Sequence, residues 1–185
     1  MQRLILLMSI SMSLTGCANI KPQDYQGSTP SFVLEEYFSG HTKAWGIFQK
    51  RNGQVSRQFQ VDIVGEWDGE NLVLTEDFRF RDGEQSQRVW HIRKIDPHRY
   101  EGRADDVDGI AQGTQYGQAL QWEYTLVIDV EGKTYKVKMD DWMYLQDDGV
   151  LINRTRISKF GFRVGEITIV FRKDDDQKQP GRDKT

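Results

Sequence analysis

Four ionisable residues occupy positions where the chain otherwise places apolar side chains. Glu76 and Asp141 each fall on an apolar face of an alternating segment, and so do Arg154 and Arg156. A charge that leaves water must be paired and hydrogen-bonded, or else change its protonation state. We therefore predict that Glu76 or Asp141 meets Arg154 or Arg156 inside the folded domain.

Two kinds of chemistry fit such a group of charges. The first is an internal salt bridge that fixes strand register at one end of the domain. The second is a polar anchor for the head group of a ligand whose apolar part lies against tryptophan and phenylalanine side chains. The sequence leaves both interpretations open.

The sequence carries none of the familiar catalytic or metal-binding patterns. His41, His91 and His98 are scattered and lack ligand spacing. Asp140 and Asp141 are neighbours in an extended segment, so their side chains point to opposite faces and cannot act as one dyad. No nucleophile elbow, phosphate-binding loop or dinucleotide fingerprint is present. We expect no catalytic residue, no metal and no cofactor, and hence a protein that is not an enzyme.

The only cysteine of the chain, Cys17, ends a segment with the features of a secretory leader. Arg3 provides a positive start, and residues 4–14 form an apolar stretch that is too short to span a bilayer as a helix. The small residues Thr15 and Gly16 follow. This order is typical of a signal peptide.

Residues 14–17, LTGC, resemble the lipobox of bacterial lipoproteins. The resemblance implies cleavage before Cys17 and acylation of its thiol, with palmitate among the chains. One acyl chain binds a bilayer only marginally, so a lasting anchor needs two or more. Ala18 and Asn19 follow in place of an aspartate, which by analogy with lipoprotein sorting favours the outer membrane of a Gram-negative bacterium. We expect a protein anchored in the lipid bilayer and facing the periplasm.

The chain divides into four predicted segments. Pro22, Gly27, Ser28 and Pro30 are typical of a flexible connection. The C-terminal segment lacks apolar residues that could pack. The predicted segments are a signal peptide at 1–16, a lipidated cysteine with a flexible tether at 17–30, a β-barrel domain at 31–173 and a disordered tail at 174–185.

Turn dipeptides such as Asn52-Gly53 and Asp82-Gly83 separate alternating runs that indicate about nine strands. Runs with one apolar and one polar face are typical of the strands of an antiparallel sheet. We predict an all-β fold, an antiparallel up-and-down β-barrel of about 8–10 strands. A short helix at Phe32–Phe38 lies before the first strand and is suited to cover one end of the barrel. Residues 109–117, rich in glycine, form the one long stretch predicted to be irregular.

Composition narrows the classes of partner. The chain has 185 residues, a net charge of −3 and a sequence pI of about 5.7. This length suits one domain with short extensions. No basic patch suggests nucleic acid as a partner.

Several short motifs together resemble a family of bacterial envelope lipoproteins that is known only as a domain of unknown function. The resemblance covers about residues 38–173 and implies a barrel domain without an established activity or cofactor. Its motifs are Trp45-Gly46, the DDWMY run at 140–144, Asn153-Arg154 and the KFG run at 159–161.

The architecture also resembles the lipocalin and calycin group. In that group a glycine and a tryptophan of the first strand and a basic residue of the last strand close the base of the barrel. Trp45 and Arg172 hold the matching positions, although glycine here follows tryptophan directly.

Two functions remain open at this stage. One is a membrane-anchored, non-enzymatic periplasmic lipoprotein that binds a lipidic or other amphipathic molecule. The alternative is a structural or interaction lipoprotein with a filled barrel and a protein partner in the envelope. Large residues such as Trp67, Phe78 and Trp122 are expected either to fill the interior or to line it. A connected apolar cavity of several hundred Å³ would favour ligand binding.

Overall fold

The computed structural model describes residues 19–174, which contain one 3-10 turn, one short helix and ten strands. No helix in this range is long and apolar enough to cross a membrane. The elements are the turn Pro22–Tyr25, the helix α1 (Leu34–Phe38), and the strands β1 (Gly40–Lys50), β2 (Val55–Trp67), β3 (Asn71–Phe80), β4 (Gln85–Lys94), β5 (Arg99–Arg103), β6 (Ala111–Tyr116), β7 (Ala119–Val130), β8 (Lys133–Leu145), β9 (Leu151–Lys159) and β10 (Phe162–Lys173).

The ten strands form one closed antiparallel barrel. Each strand pairs with the next along the chain, and β1 pairs with β10, with Ala44 opposite Phe171. Closure gives every strand two partners and removes the exposed sheet edges that favour aggregation. The predicted all-β, up-and-down barrel of about 8–10 strands is confirmed.

The strand β6 forms where the sequence predicted an irregular stretch at 109–117. Its residue Gly113 lies against the indole of Trp122, and a Cβ added there would lie 2.2 Å from Trp122 Cζ3. Gly102 of β5 approaches the same ring, with a Cβ position 2.5 Å from Cζ2. Glycine weakens the local preference for a strand. The prediction of an irregular stretch was wrong because the glycine in this segment makes room for the Trp122 ring and does not interrupt the strand.

The helix α1 covers one end of the barrel, as the sequence predicted. Phe38 meets Phe171 edge-on, with ring centroids 5.5 Å apart. The Tyr37 hydroxyl lies 3.1 Å from the carbonyl oxygen of Gly149 and 3.2 Å from that of Phe171. We call this the helix end. The opposite, distal end carries the turns at 51–54, 81–84, 131–132 and 160–161.

A buried polar cluster ties α1 to the wall of the barrel. The Glu35 carboxylate pairs with Lys94, and the Tyr100 hydroxyl donates to Glu35 Oε2 at 2.8 Å. The Gln115 side-chain oxygen accepts from the Leu34 backbone N–H at 3.2 Å. Burial acts to raise the pKa of Glu35, but its hydrogen bonds with Lys94 and Tyr100 leave that pKa below its ordinary value. Glu35 is therefore held as a carboxylate.

The segment before α1 packs on the outside of the barrel. Tyr25 contacts Trp142 and Tyr144, with ring centroids 6.1 and 5.6 Å away. The Ser28 hydroxyl accepts from the backbone N–H of Gln118 at 3.0 Å. Residues 22–30 thus belong to the folded domain, which differs from the flexible tether expected over 17–30. Cys17, the leader at 1–16 and all of the tail beyond residue 174 lie outside the described residues.

Trp45 and Arg172 do not close the base of the barrel, so that expectation was wrong. Trp45 is 46% exposed on the outer face, where it lies opposite Val170. Arg172 is also on the outer face, opposite Lys43. Trp45 points outward because small residues occupy the inner face of β1. Ala44 is buried, and Gly46 leaves room for the Phe59 ring. The helix α1 closes the base instead.

Candidate functional site

A cavity of about 330 Å³ occupies the interior of the barrel. It extends from Leu34 and Phe38 at the helix end to Arg57 and Phe80 at the distal end. Its wall is mostly aromatic and aliphatic. Its charged and polar lining residues, apart from Tyr124, are Arg57, Glu76, Arg88, Asp141, Asn153 and Thr155.

The apolar wall is built from aromatic side chains that contact each other across the interior and between neighbouring strands. Trp90 meets Trp122 edge-on with centroids 5.8 Å apart, and it meets Tyr124 in the same way at 5.4 Å. Phe59 lies 5.8 Å from Phe78. Such rings offer a large apolar surface with few rotatable bonds.

Glu76 and Arg88 are directly opposite residues of β3 and β4, and both point into the cavity. The Arg88 Nη1 and the Glu76 Oε2 atoms are 4.0 Å apart, which is an ion-pair contact without a hydrogen bond. The Arg88 guanidinium instead donates from Nε and Nη2 to Asp106 Oδ2, at 3.0 and 2.6 Å. Within residues 19–174, no group donates a hydrogen bond to the Glu76 carboxylate. Glu76 is thus an open polar group of the cavity, and in the same range the Nε atom of Arg57 at the distal end is a second group without a hydrogen-bond partner.

Burial raises the pKa of Glu76 to about 7. The positive charge of Arg88 opposes this shift, whereas the negative charges of Asp106 and Asp141 add to it. Near neutral pH the carboxyl group therefore exchanges between its neutral and ionised forms. A buried carboxyl in this state can either donate to a ligand or accept from one.

Asp141 is also buried, but two side chains donate hydrogen bonds to its carboxylate. Thr155 donates from Oγ1 to Asp141 Oδ1 at 3.0 Å, and Asn153 donates to the same oxygen from Nδ2. Burial raises the pKa of Asp141 to about 6, and these two hydrogen bonds limit the rise. All three side chains are buried residues of β8 and β9. This cluster holds two neighbouring strands together.

Arg154 and Arg156 are not in the interior, and the predicted network with them was wrong. Both are exposed on the outer face of β9. Arg154 pairs outside with Glu166, its Nη2 lying 2.9 Å from Oε2. The inner face of β9 is the other one, which carries Asn153 and Thr155.

The cation that the sequence reasoning missed is Arg88. Its signal is visible in β4, where Arg88, Trp90 and Ile92 alternate with polar residues such as His91. Trp90 and Ile92 are buried, and the Arg88 side chain is 23% exposed. The long aliphatic stem of an arginine allows this position, since it packs against apolar neighbours while the guanidinium finds a carboxylate.

The described part of the chain contains no cluster of three or more histidine, cysteine, aspartate or glutamate residues arranged to hold a metal ion. His98 stacks on Tyr116 at 4.1 Å, and its Nδ1 lies 3.0 Å from the carbonyl oxygen of Gln115. These contacts give His98 a structural role at the helix end.

The sequence profile of the DUF3833 family, described as a protein of unknown function, matches residues 11–173. The chain belongs to the DUF3833 family. The match includes all ten strands of the barrel. The resemblance to a family known only as a domain of unknown function is thereby confirmed.

Solved structures share the fold of this DUF3833 barrel. The S-type phycobiliprotein lyase CPES from Guillardia theta superposes with a TM-score of 0.55 at 10% identity, covering 76% of this chain and 90% of that one. Rv2717c from M. tuberculosis gives 0.54 at 16% identity, covering 75% and 93%. At these identities the likeness concerns the fold alone. A comparison with curated proteins found no match.

The fold and the cavity together define what the DUF3833 barrel is able to do. A lipocalin-like barrel with an internal space of this size is compatible with binding a small molecule. The cavity offers an apolar wall, one open carboxyl at Glu76 and two cations that are paired with carboxylates, Arg88 with Asp106 and Arg57 with Glu84. A molecule with an apolar body and one compact polar group fits this arrangement.

Proposed function

We propose that this DUF3833 protein is a non-enzymatic lipoprotein of the bacterial envelope that binds one small amphipathic molecule inside its barrel. The observation that carries the proposal is the apolar cavity of about 330 Å³ with a carboxyl group that lacks a hydrogen-bond donor among the described residues. An interior evolved only for stability would leave neither a void nor an unmatched polar group.

The cavity supports a specific kind of ligand. The apolar body of the ligand lies against Trp90, Trp122 and Phe59, and the polar group of the ligand donates a hydrogen bond to Glu76. Tyr124 adds a second polar contact, because burial and the charge of Asp141 raise the pKa of its hydroxyl and keep it a neutral donor. The ligand class is therefore an amphipathic molecule whose head group is small and carries an N–H or O–H donor.

The open space argues against the alternative of a filled barrel that only presents loops to an envelope protein. In that alternative, the interior charges would exist to fix strand register. The Asp141 cluster fits that description, since two side chains of the neighbouring strand donate hydrogen bonds to its carboxylate. Glu76 does not, because its contact with Arg88 is long and its carboxylate faces the cavity.

The location is part of the proposal and rests on the sequence alone. Acylation of Cys17 would anchor the protein in a bilayer, with the outer membrane of a Gram-negative bacterium favoured and the barrel in the periplasm. Metabolic labelling with radioactive palmitate tests this directly. Incorporation into the wild type and its loss in Cys17→Ala is expected, and absence of label in the wild type would refute the anchor.

The binding proposal is tested by native mass spectrometry of the full chain purified from its own membranes, followed by solvent extraction. We expect one recurrent co-purifying molecule. Glu76→Gln should reduce its occupancy at least tenfold, whereas Glu123→Gln, a matched change on the outer wall, should retain it. Protein that is empty in repeated preparations, and that also fails to bind the probe N-phenyl-1-naphthylamine, would overturn the proposal.

The same samples test the absence of catalysis. One of the proteins with this fold is named a lyase, so the extracted molecule should be incubated with purified protein and analysed again by mass. We expect its mass to stay unchanged. Conversion to a product that is abolished in Glu76→Gln would replace the binding role with an enzymatic one.

A further inference from the structure

Two phenylalanine side chains stand exposed at the distal tip of the β9–β10 hairpin. Phe160 is 88% exposed and Phe162 is 69% exposed. Phe160 also adopts a positive φ of 51°, a left-handed conformation that bulky residues rarely occupy. Glycine or asparagine would form this turn with less strain. A strained, exposed aromatic residue has a cost for folding that needs a functional reason.

The neighbouring turns extend this exposed surface. The hairpin lies between β8 and β1 in the barrel, so the turns at 131–132 and 51–54 flank it. Val130 is 46% exposed, and Val55 and Val164 are each 42% exposed. We call the set Val55, Val130, Phe160, Phe162 and Val164 the apolar rim.

Basic side chains surround the apolar rim. Lys50, Arg51 and Lys133 are exposed, and none of them forms an ion pair with any residue in 19–174. Arg163 is exposed beside Phe162, and Lys159 lies with its Nζ 3.7 Å from the centre of the Tyr135 ring. The carboxylates on this side of the distal end are Asp129, Glu131 and Glu166, and Glu166 lies 3.6 Å from Arg163. The rim therefore carries more positive than negative charge.

The charges on the opposite side of the distal end are largely paired. Arg57 lies 3.1 Å from Asp82 and 2.9 Å from Glu84, and Lys136 lies 2.7 Å from Asp108. The rim differs because Lys50, Arg51 and Lys133 have no ion-pair partner among the described residues. Cations that are available to an anionic surface therefore lie beside the apolar rim.

We propose that the apolar rim docks the barrel onto the surface of a bilayer that contains anionic phospholipids. Aromatic side chains insert at the level of the head groups, while lysine and arginine side chains are attracted to the anionic lipid around them. The cavity reaches the same end, at Arg57 and Phe80. Docking would therefore bring this end of the cavity next to the lipid.

The inference deepens the proposed function but is tested separately from it. The full chain is reconstituted through its own anchor into vesicles of phosphatidylcholine with three-tenths phosphatidylglycerol. Phe160→Cys carries a nitroxide label, and Asp147→Cys, in the turn at the helix end, is the matched control. Unsubstituted protein treated with the label reports any reaction at Cys17. The accessibility of each nitroxide to oxygen and to a nickel chelate gives its depth.

We expect the label at position 160 to be at least fivefold more accessible to oxygen than to the nickel chelate, and the label at 147 to show no such preference. Adding Lys133→Glu and Arg163→Glu should move the 160 label into water. Equal exposure of both labels to the nickel chelate would overturn the inference. Spin–spin broadening at 160 would also overturn it, because it would indicate that the rim pairs with a second copy. Loss of docking in protein that still carries its co-purifying molecule would leave the binding proposal intact.

Discussion

Glu76 and Arg88 face each other across β3 and β4 with their charged atoms 4.0 Å apart, yet no hydrogen bond joins them. The guanidinium of Arg88 is held by Asp106 at 2.6 Å. The carboxyl group of Glu76 is left without a donor in a largely apolar space. A buried carboxyl of this kind is unfavourable in its ionised form, and this has measurable consequences for stability.

Glu76 should make the protein less stable as the pH rises. The pKa of its carboxyl is about 7 in the folded protein and 4.5 in the reference state. The unfolded chain therefore releases its proton first, and stability falls between about pH 4.5 and 7. Glu76→Gln removes this penalty and should raise the free energy of unfolding at pH 8 by about 2 kcal/mol, with little change at pH 4.5.

The measurement for Glu76→Gln is urea denaturation of both proteins at pH 4.5, 6 and 8. The outer-wall variant Glu123→Gln serves as the control and should follow the wild type at each pH. A Glu76→Gln curve parallel to that of the wild type would show that the pKa of Glu76 is the same in the folded and unfolded protein, and would contradict the prediction.

Thr155→Val should weaken the junction between β8 and β9. The substitution removes the hydroxyl that donates to Asp141 at 3.0 Å and keeps the volume of the side chain. We expect a loss of about 1–3 kcal/mol, since a buried carboxylate loses a donor. The loss should be larger at pH 8 than at pH 4.5, because the pKa of Asp141 is about 6 and its ionised form needs the donor more. Chemical denaturation measures both values, and Thr134→Val on the exposed face of β8 should be close to neutral.

Glu35→Gln should loosen the helix end. The pKa of Glu35 lies below its ordinary value in the folded protein, so its ionised form adds stability that is present above about pH 4.5 and is lost on acidification. Removing the charge leaves Lys94 without its buried partner and should cost about 1–3 kcal/mol at pH 7. The difference from wild type should shrink towards pH 3. Glu36→Gln, at an exposed position of α1, should have no comparable effect in the same denaturation series.

Gly113→Ala should destabilise the barrel through a steric conflict. The added methyl group would lie 2.2 Å from the indole of Trp122, which is itself buried. Overpacking of a filled core typically costs about 1–3 kcal/mol. The near-ultraviolet circular dichroism of the tryptophans should change with the denaturation midpoint. Gln112→Ala, on the exposed face of the same strand, should leave both signals near those of the wild type.

In strand β9 the alternation of apolar and polar residues does not determine which face points into the barrel. Its sequence LINRTRISK places an aliphatic residue on each face, with Leu151 and Ile157 on one and Ile152 on the other. When Val150, just before the strand, is included, each face carries two aliphatic residues, so a count of apolar residues does not decide the phase. The fold chose the phase that puts Asn153 and Thr155 against Asp141 and leaves Arg154 to pair with Glu166. The hydrogen-bonding partner on β8, Asp141, therefore determines which face of β9 points inward.

Sequence by itself determined the class of fold and most of the inner wall. Turn dipeptides with positive φ set the hairpins, and the alternation of side chains assigned Phe78 and Trp122 to the interior, where both line the cavity. These signals are local, because turn geometry and side-chain alternation depend on neighbouring residues. For the same reason Glu76 and Asp141 were found as interior charges.

Only the tertiary structure decided which groups meet. In the folded protein Glu76 lies opposite Arg88, and the ring of Trp122 packs against Gly113 of β6. Trp45 and Arg172 lie on the outer face. Each of these outcomes depends on the register between strands and on residues that are distant in the chain. One strand carries no information on which side chain of the next strand will stand opposite, and that pairing becomes fixed only when the barrel closes.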